Sequence, residues 1–229
     1  MNKRIICFCE IAYILGLIIL AVGTAFMEKA DWGMSMVVAP AYLLHLKLQQ
    51  IWPAFSFGMA EYVFQAFLLI ILSLILRQGK ISYLFSFITA VVYGFTLDLA
   101  IKLVRHIPTG DAAYRCIFFS AGMILCAAGV SMLFHTYISP EAYELFVKEL
   151  AAKQDWPVER VKTVYDCCSC CLGIIMSFVF FGFGHFEGVK AGTVVCALLN
   201  GWLIGHNSRV LEHFVQFKDA LPFRGLFER

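Results

Sequence analysis

The chain has 229 residues, of which 61% are hydrophobic and 15% charged, with a net charge of +2. Soluble domains run nearer half apolar and a quarter charged, so a water-soluble globular domain is excluded, and a nucleic-acid role has no basic surface to support it. The charges gather at 1–4, 28–31, 77–80, 102–115, 141–162 and 209–229 with nearly uncharged runs between them. That is the pattern of a polytopic all-α membrane protein rather than of a β-barrel's short alternating segments.

The first predicted span, 8–27, lies in "MNKRIICFCEIAYILGLIILAVGTA". Its basic, apolar and small residues follow the order of a signal peptide, but an internal counterpart in mid-chain argues against cleavage. Next comes "MSMVVAPAYLLHLKLQQ", where 36–50 is short and interrupted by Pro40, as befits an interfacial or re-entrant helix. Spans are expected at 58–76, 81–101 and 116–135. The segment "SPEAYELFVKELAAKQ" predicts an amphipathic surface helix over 140–153. Ser139 would be its N-cap, Pro140 its first helical residue, and Glu144 and Lys148 an i,i+4 pair. Two more spans, 164–183 and 188–207, complete six. The tail, 209–229, alternates Phe with basic residues and is expected to rest as an amphipathic segment on cytoplasmic headgroups.

Matching the chain against itself gives echoes in one order. Gly16 and Gly23 in "GLIILAVGTAF" correspond to Gly122 and Gly129 in "GMILCAAGVSM". "AYLLHLK" (41–47) echoes "AYELFVK" (142–148), Trp52-Pro53 echoes Trp156-Pro157, and "TAVVYGF" (89–95) parallels "CALLNGW" (196–202). Such spacing predicts a duplication, with a first repeat at 1–107, a second at 108–208 and the tail at 209–229. Three spans per repeat invert the second copy, the plan of many secondary transporters, whose sites lie near mid-membrane. With six spans and a cytoplasmic N-terminus, twelve Lys and Arg fall inside and six outside, so both termini are expected to be cytoplasmic.

Acidic residues inside spans mark pathways more often than lipid contacts. Glu61 and Asp166 are repeat equivalents, and inversion would place one near each side as paired gating or proton-coupling groups, with Gln65 on Glu61's face. Lys162, four residues before Asp166, also fits an ordinary helix-end ion pair. Asp98 has Lys102 four residues later and sits beside an inward polar stripe of Ser82, Ser86, Thr89, Tyr93 and Thr96. Thr89, Tyr93, Ser169 and Asn200 are the further pathway-lining candidates. The cysteine-rich "TVYDCCSCCLG" (163–173) puts Asp166, Ser169, Cys170, Gly173 and Ser177 on one small, polar face that should meet other helices. Cys167, Cys170 and Cys171 are candidates for a metal or redox site, although all stand on one rigid helix, and packing is the reading preferred. Gly188 and Gly192 have GxxxG spacing, and His135, His185 and His206 stand near span ends. Nothing has the form of a phosphate loop, a zinc-hydrolase motif or a nucleophile elbow, so neither an enzyme nor a cofactor is expected.

The segments "ADWGMSMVVAPAYLL", "FGMAEYVFQAFLLI" and "KAGTVVCALLNGWLIG" give the chain a form that resembles the YitT/YczE-like group of bacterial integral membrane proteins. Related sequences often read Gly-x-Ser-Pro where this chain has Gly33-Met34-Ser35-Met36. The resemblance implies a bacterial cytoplasmic membrane and no defined activity or catalytic residue. Three functional readings stand side by side: a small-solute or ion permease, a non-transporting scaffold that docks a cytoplasmic protein through 139–160 and the tail, and an intramembrane metal or redox protein. The bilayer, an unidentified solute or ion, and a homo-oligomeric or cytoplasmic protein partner are the partners these readings entail.

Overall fold

The computed structural model describes residues 5–77, 80–108, 110–182, 189–222 and 224–227. Its long helices are α1 (Cys9–Ala30), α3 (Phe57–Leu76), α4 (Ile81–Arg105), α5 (Ala112–Phe134), α7 (Val158–Phe181) and α8 (Ala191–Phe214), with shorter α2 (Ala39–Gln49) and α6 (Ala142–Gln154) after α1 and α5. Strands β1 (Ile5–Phe8) and β2 (Val215–Lys218) and a single turn, α9 (Arg224–Phe227), stand at the chain's two ends.

Five helices, α1, α3, α4, α5 and α7, are long and apolar enough to cross a membrane among the described residues. The protein is an integral membrane protein on that ground. The predicted sixth span differs: α8 has 24 residues but carries Asn200, His206, Asn207, Ser208 and Arg209, which dilute its hydropathy below that of the other five. Large apolar side chains cover the outside, as Val63, Phe67, Ile70 and Leu74 do on α3 and Leu84, Ile88, Val92, Phe95, Leu99 and Leu103 on α4. So large an exposed apolar surface is a liability in water and matches hydrocarbon.

Helix ends follow local chemistry. Ser56 caps α3 by accepting the Met59 N–H at 3.1 Å, and α1, α3 and α6 each stop at a residue in the left-handed region, Asp31, Arg77 and Asp155. Pro40 sits in the first turn of α2, where its missing N–H costs nothing, so the helix starts at 39 rather than 36. The start of α6 corrects the sequence reading more sharply. It begins at Ala142, two residues past the expected point, and neither Ser139 nor its N-cap residue Glu141 supplies a side-chain cap. The Gln65 side-chain oxygen, from α3, accepts the Ala142 N–H at 3.0 Å instead. Residues 139–145 are all buried, so α6 does not lie along a surface; it enters from the core and becomes exposed toward its end.

The centre of the packing is the α1–α5 pair. Gly16 meets Gly129 and Gly23 meets Gly122, so the two helices run antiparallel with backbones in contact; a Cβ on Gly23 would stand 2.8 Å from Gly122 O. Around this pair, α4 packs on α1 and α3, and α8 packs on α5 and α7. Helix α2 touches both α3 and α7, and α6 likewise touches both. Lys47 of α2 donates to Phe180 O at the end of α7, and Lys153 of α6 donates to Ile75 O at the end of α3, each at 3.2 Å.

Strands β1 and β2 pair in parallel, Ile5 opposite Val215 through Phe8 opposite Lys218. The tail is therefore not a separate amphipathic segment. Residues 209–214 continue α8, 215–218 pair with the N-terminal strand, and the Ala220 and Leu221 N–H groups donate to the Glu10 carboxylate at 3.0–3.2 Å. Hydrogen bonds from Arg224 hold the Asp219 carboxyl below the usual carboxylate range. Lys3, Arg4, His185, Gly188 and Arg229 lie outside the described residues.

Candidate functional site

Two buried entries, 36–41 into α2 and 139–145 into α6, meet beside the α1–α5 pair. Between them is a cavity of about 30 Å³, whose walls include Thr24, Ser35, Val38, Tyr93, Glu141, Tyr143, Glu144 and Asn200. One water occupies about 30 Å³ in the liquid, so the space suits a single small guest.

Behind the cavity α3 and α7 contribute charged and amide groups. Gln65 Nε2 donates to Glu141 Oε2 at 3.2 Å and to Glu61 Oε2 at 3.4 Å. The Tyr143 hydroxyl donates to the same Glu61 oxygen at 2.9 Å. Lys162 Nζ donates to Glu144 Oε1 at 2.9 Å and stands 3.3 Å from Asp166 Oδ1, an ion-pair distance without hydrogen-bond alignment. Tyr93 and Thr24 share a hydrogen bond of 2.9 Å on the opposite wall.

Glu61, Glu141, Glu144, Asp166 and Lys162 are all at least 95% buried. Four carboxyl groups thus accompany one ammonium, which pairs with Glu144 and Asp166. Glu61 Oε1, Glu141 Oε1, Glu144 Oε2 and Asp166 Oδ2 have no hydrogen-bond partner. Buried polar atoms are nearly always partnered, and unpaired buried charge is expensive. The junction is therefore acidic and incompletely satisfied.

Larger cavities open at the two ends of the α1–α5 pair. One of about 610 Å³ is lined by Glu28, Tyr42, His45, Asp98, Lys102 and Arg105, near the ends of α1 and α4. One of about 270 Å³ is lined by Phe134, Val158, Lys162, Gly201 and Glu212, near the ends of α5 and α8. Lys162 lines the second and pairs with Glu144, which connects that vestibule with the central junction.

The sequence candidates divide accordingly. Glu61, Gln65 and Asp166 are in the junction, and Tyr93 and Asn200 line its cavity. Glu61 and Asp166 both stand beside the α6 entry, Glu61 through Tyr143 and Asp166 through the Lys162–Glu144 pair. The i,i+4 pairing of Lys162 with Asp166 is present, whereas Glu144 pairs with Lys162 rather than with Lys148, which is exposed. Asp98 lies apart. It accepts from Ser56 Oγ at 2.6 Å and from Gly58 N at 2.9 Å, so it fastens the start of α3 rather than pairing with Lys102. Thr89 holds Ser139 O and Tyr13. Ser169 faces an apolar groove with Phe64, Leu68, Phe146, Val161 and Tyr165, not the cavity.

On α7 the small face is buried as its spacing implies, from Asp166 through Ser169, Cys170 and Gly173 to Ser177. Cys167, Cys168 and Cys171 are exposed while Cys170 points inward, so Cys167, Cys170 and Cys171 do not converge. Among the described residues no three His, Cys, Asp or Glu side chains come together as metal ligands. Glu141 and Glu144 were missed as site residues. The signal for Glu141 is its place directly after Ser139-Pro140, at the expected start of the helix.

A family profile described as a family of unknown function, DUF6198, matches residues 7–209. The chain belongs to this family. The DUF6198 match takes in the helices that build the junction and stops before β2. It names no activity and makes no link to YitT/YczE-like proteins. No curated protein and no solved structure matches the chain.

Proposed function

We propose that this DUF6198 protein is a permease for a small solute or ion that works by alternating access between two inverted three-helix repeats, α1–α4 and α5–α8. The observation that carries the reading is the exchange of contacts across the α1–α5 pair. Gly16 with Gly129 and Gly23 with Gly122 become the same contact if each residue is replaced by its repeat equivalent. Lys47 to Phe180 and Lys153 to Ile75 are a second such exchange. A two-fold axis makes such self-complementary contacts. Here it lies between antiparallel helices, as in transporters built from inverted repeats.

Two features of this reading go beyond hydropathy. Helix α8 is the sixth span, because it stands on α5 as α4 stands on α1 and exposes Val194, Val195, Leu198, Leu199 and Trp202 outward. The parallel pairing of β1 with β2 brings the two chain ends to one side, which six crossings require. The repeat register also changes. Lys47 is equivalent to Lys153, not to Lys148, so the shared "AYxLxxK" letters are not spatial equivalents; Ser35 and Val38 correspond to Glu141 and Glu144.

The vestibules at opposite ends of the pair and the polar junction between them supply the route. The scaffold reading loses much of its surface, since 139–147 is mostly buried and the tail is folded against Glu10. Reconstituted protein tests the proposal. Ion and solute uptake into proteoliposomes is expected to depend on the protein and to be abolished when Glu61→Gln and Asp166→Asn are combined. Uptake unchanged by that pair would refute the route.

A further inference from the structure

We propose that the central cavity binds one monovalent inorganic cation of about the size of Na⁺, held between Glu141 and Glu144. This deepens the permease reading and rests on it for the cation's role in transport, not for its binding. Each of these carboxylates spends one oxygen on a protein partner: Glu141 Oε2 accepts from Gln65, and Glu144 Oε1 accepts from Lys162. Each keeps its second oxygen unpartnered while lining the same cavity. Ser35, Thr24, Tyr93 and Asn200 add neutral polar groups around that space.

The charge balance calls for a cation. Glu61, Glu141, Glu144 and Asp166 bring four negative charges when ionised, and Lys162 returns one. The N-termini of α2 and α6 both start at the cavity, and each contributes roughly half a positive charge. About two negative charges remain without compensation.

A divalent ion fits poorly. Mg²⁺ keeps several of its waters, for which a space of about one water has no room; Ca²⁺ takes six to eight oxygens, whereas only two free carboxylate oxygens line the space. No triad of acidic, histidine or cysteine ligands is present among the described residues. A proton is the natural competitor, because protonating either glutamate removes the same excess charge.

Thermal unfolding of the purified full chain in detergent tests this, at constant ionic strength with choline chloride replaced by NaCl, LiCl, KCl, MgCl2 or CaCl2. The expected result is a saturable rise in midpoint with Na⁺ that weakens when the pH is lowered, as protons compete. Glu141→Gln and Glu144→Gln should each raise the half-saturating Na⁺ concentration at least tenfold. Glu141→Gln removes charge with little change of shape and should leave the cation-free protein no less stable, whereas Glu144→Gln also takes away the partner of Lys162 and should lower the cation-free midpoint. Equal midpoints in Na⁺ and choline, stabilisation by divalent ions alone, or an unchanged Na⁺ response in both variants would overturn the assignment. If a variant does not fold, the wild-type comparison of Na⁺ with choline decides alone. Sodium binding without uptake into proteoliposomes would leave the site standing and remove the permease; uptake without any cation effect on stability would do the reverse.

Discussion

Replacing Lys162 by methionine keeps the side-chain length and removes the ammonium that Glu144 and Asp166 share. Lys162 is 3% exposed, and its two acidic partners lie at 2.9 and 3.3 Å. Solvent therefore does little to screen the loss. Removing one member of a buried ion pair costs about 3–5 kcal/mol, because the other member stays buried without its counter-charge. For a chain of 150–250 residues, each kcal/mol shifts the midpoint by about 2–4 °C, so Lys162→Met should lower it by on the order of 10 °C. The comparison is Lys80→Met. Lys80 pairs with Glu149 at 2.6 Å, but both side chains are partly exposed, and such pairs contribute about 0–1 kcal/mol. Adding Glu144→Gln to Lys162→Met should recover a large part of the loss, since it removes the carboxylate left unpaired. The assay is detergent unfolding followed by intrinsic fluorescence, with size-exclusion profiles to verify folding. A Lys162→Met midpoint within the range of Lys80→Met, with no recovery in the double variant, would refute the reasoning about the junction.

Other substitutions separate packing from chemistry. Gly23→Ala drives a methyl group into the α5 backbone 2.8 Å away and should cost about 1–3 kcal/mol, whereas Gly201→Ala, with its nearest neighbour at 3.7 Å, should be neutral or stabilise by up to about 1 kcal/mol; equal unfolding midpoints for the two would contradict the close α1–α5 approach. Asp98→Asn weakens the charged acceptor that receives Ser56 Oγ and Gly58 N, so the midpoint should fall by an amount near the 0.5–2 kcal/mol of a lost cap while the Na⁺ response stays unchanged. Glu10→Ala removes the acceptor of the Ala220 and Leu221 N–H groups, so limited proteolysis should clip the tail faster at an unchanged global midpoint; wild-type clipping rates would contradict the docking.

Much of the frame was legible because it rests on local spacing. Charge-free runs of about 20 residues gave the five apolar helices, and the 3.6-residue period put Asp166, Ser169, Cys170, Gly173 and Ser177 on one buried face. Glu61 with Gln65 and Lys162 with Asp166 were readable as i,i+4 neighbours. What failed depended on distant partners. Glu144 could be paired locally only with Lys148; its true partner, Lys162, is across the turn on α7. The amphipathic pattern of 140–153 shows two faces but not which end of the helix is buried, and the cap from Gln65 is supplied 77 residues away in sequence. Hydropathy weighs each residue by type alone, so α8 reads as the weakest span although Asn200 faces the cavity. The pairing of β1 with β2 joins four-residue segments from opposite ends of the chain, beyond the reach of any local pattern.

The inversion of the two halves is the claim from which the rest follows, and site-directed thiol labelling tests it most directly. In a cysteine-free background, Gln49→Cys at the exposed end of α2 and Ala152→Cys near the exposed end of α6 are treated in intact cells with a membrane-impermeant reagent. Residue 49 should be labelled from outside and residue 152 only after permeabilisation. Labelling of both from the same side would contradict the inverted arrangement and the shared central junction with it.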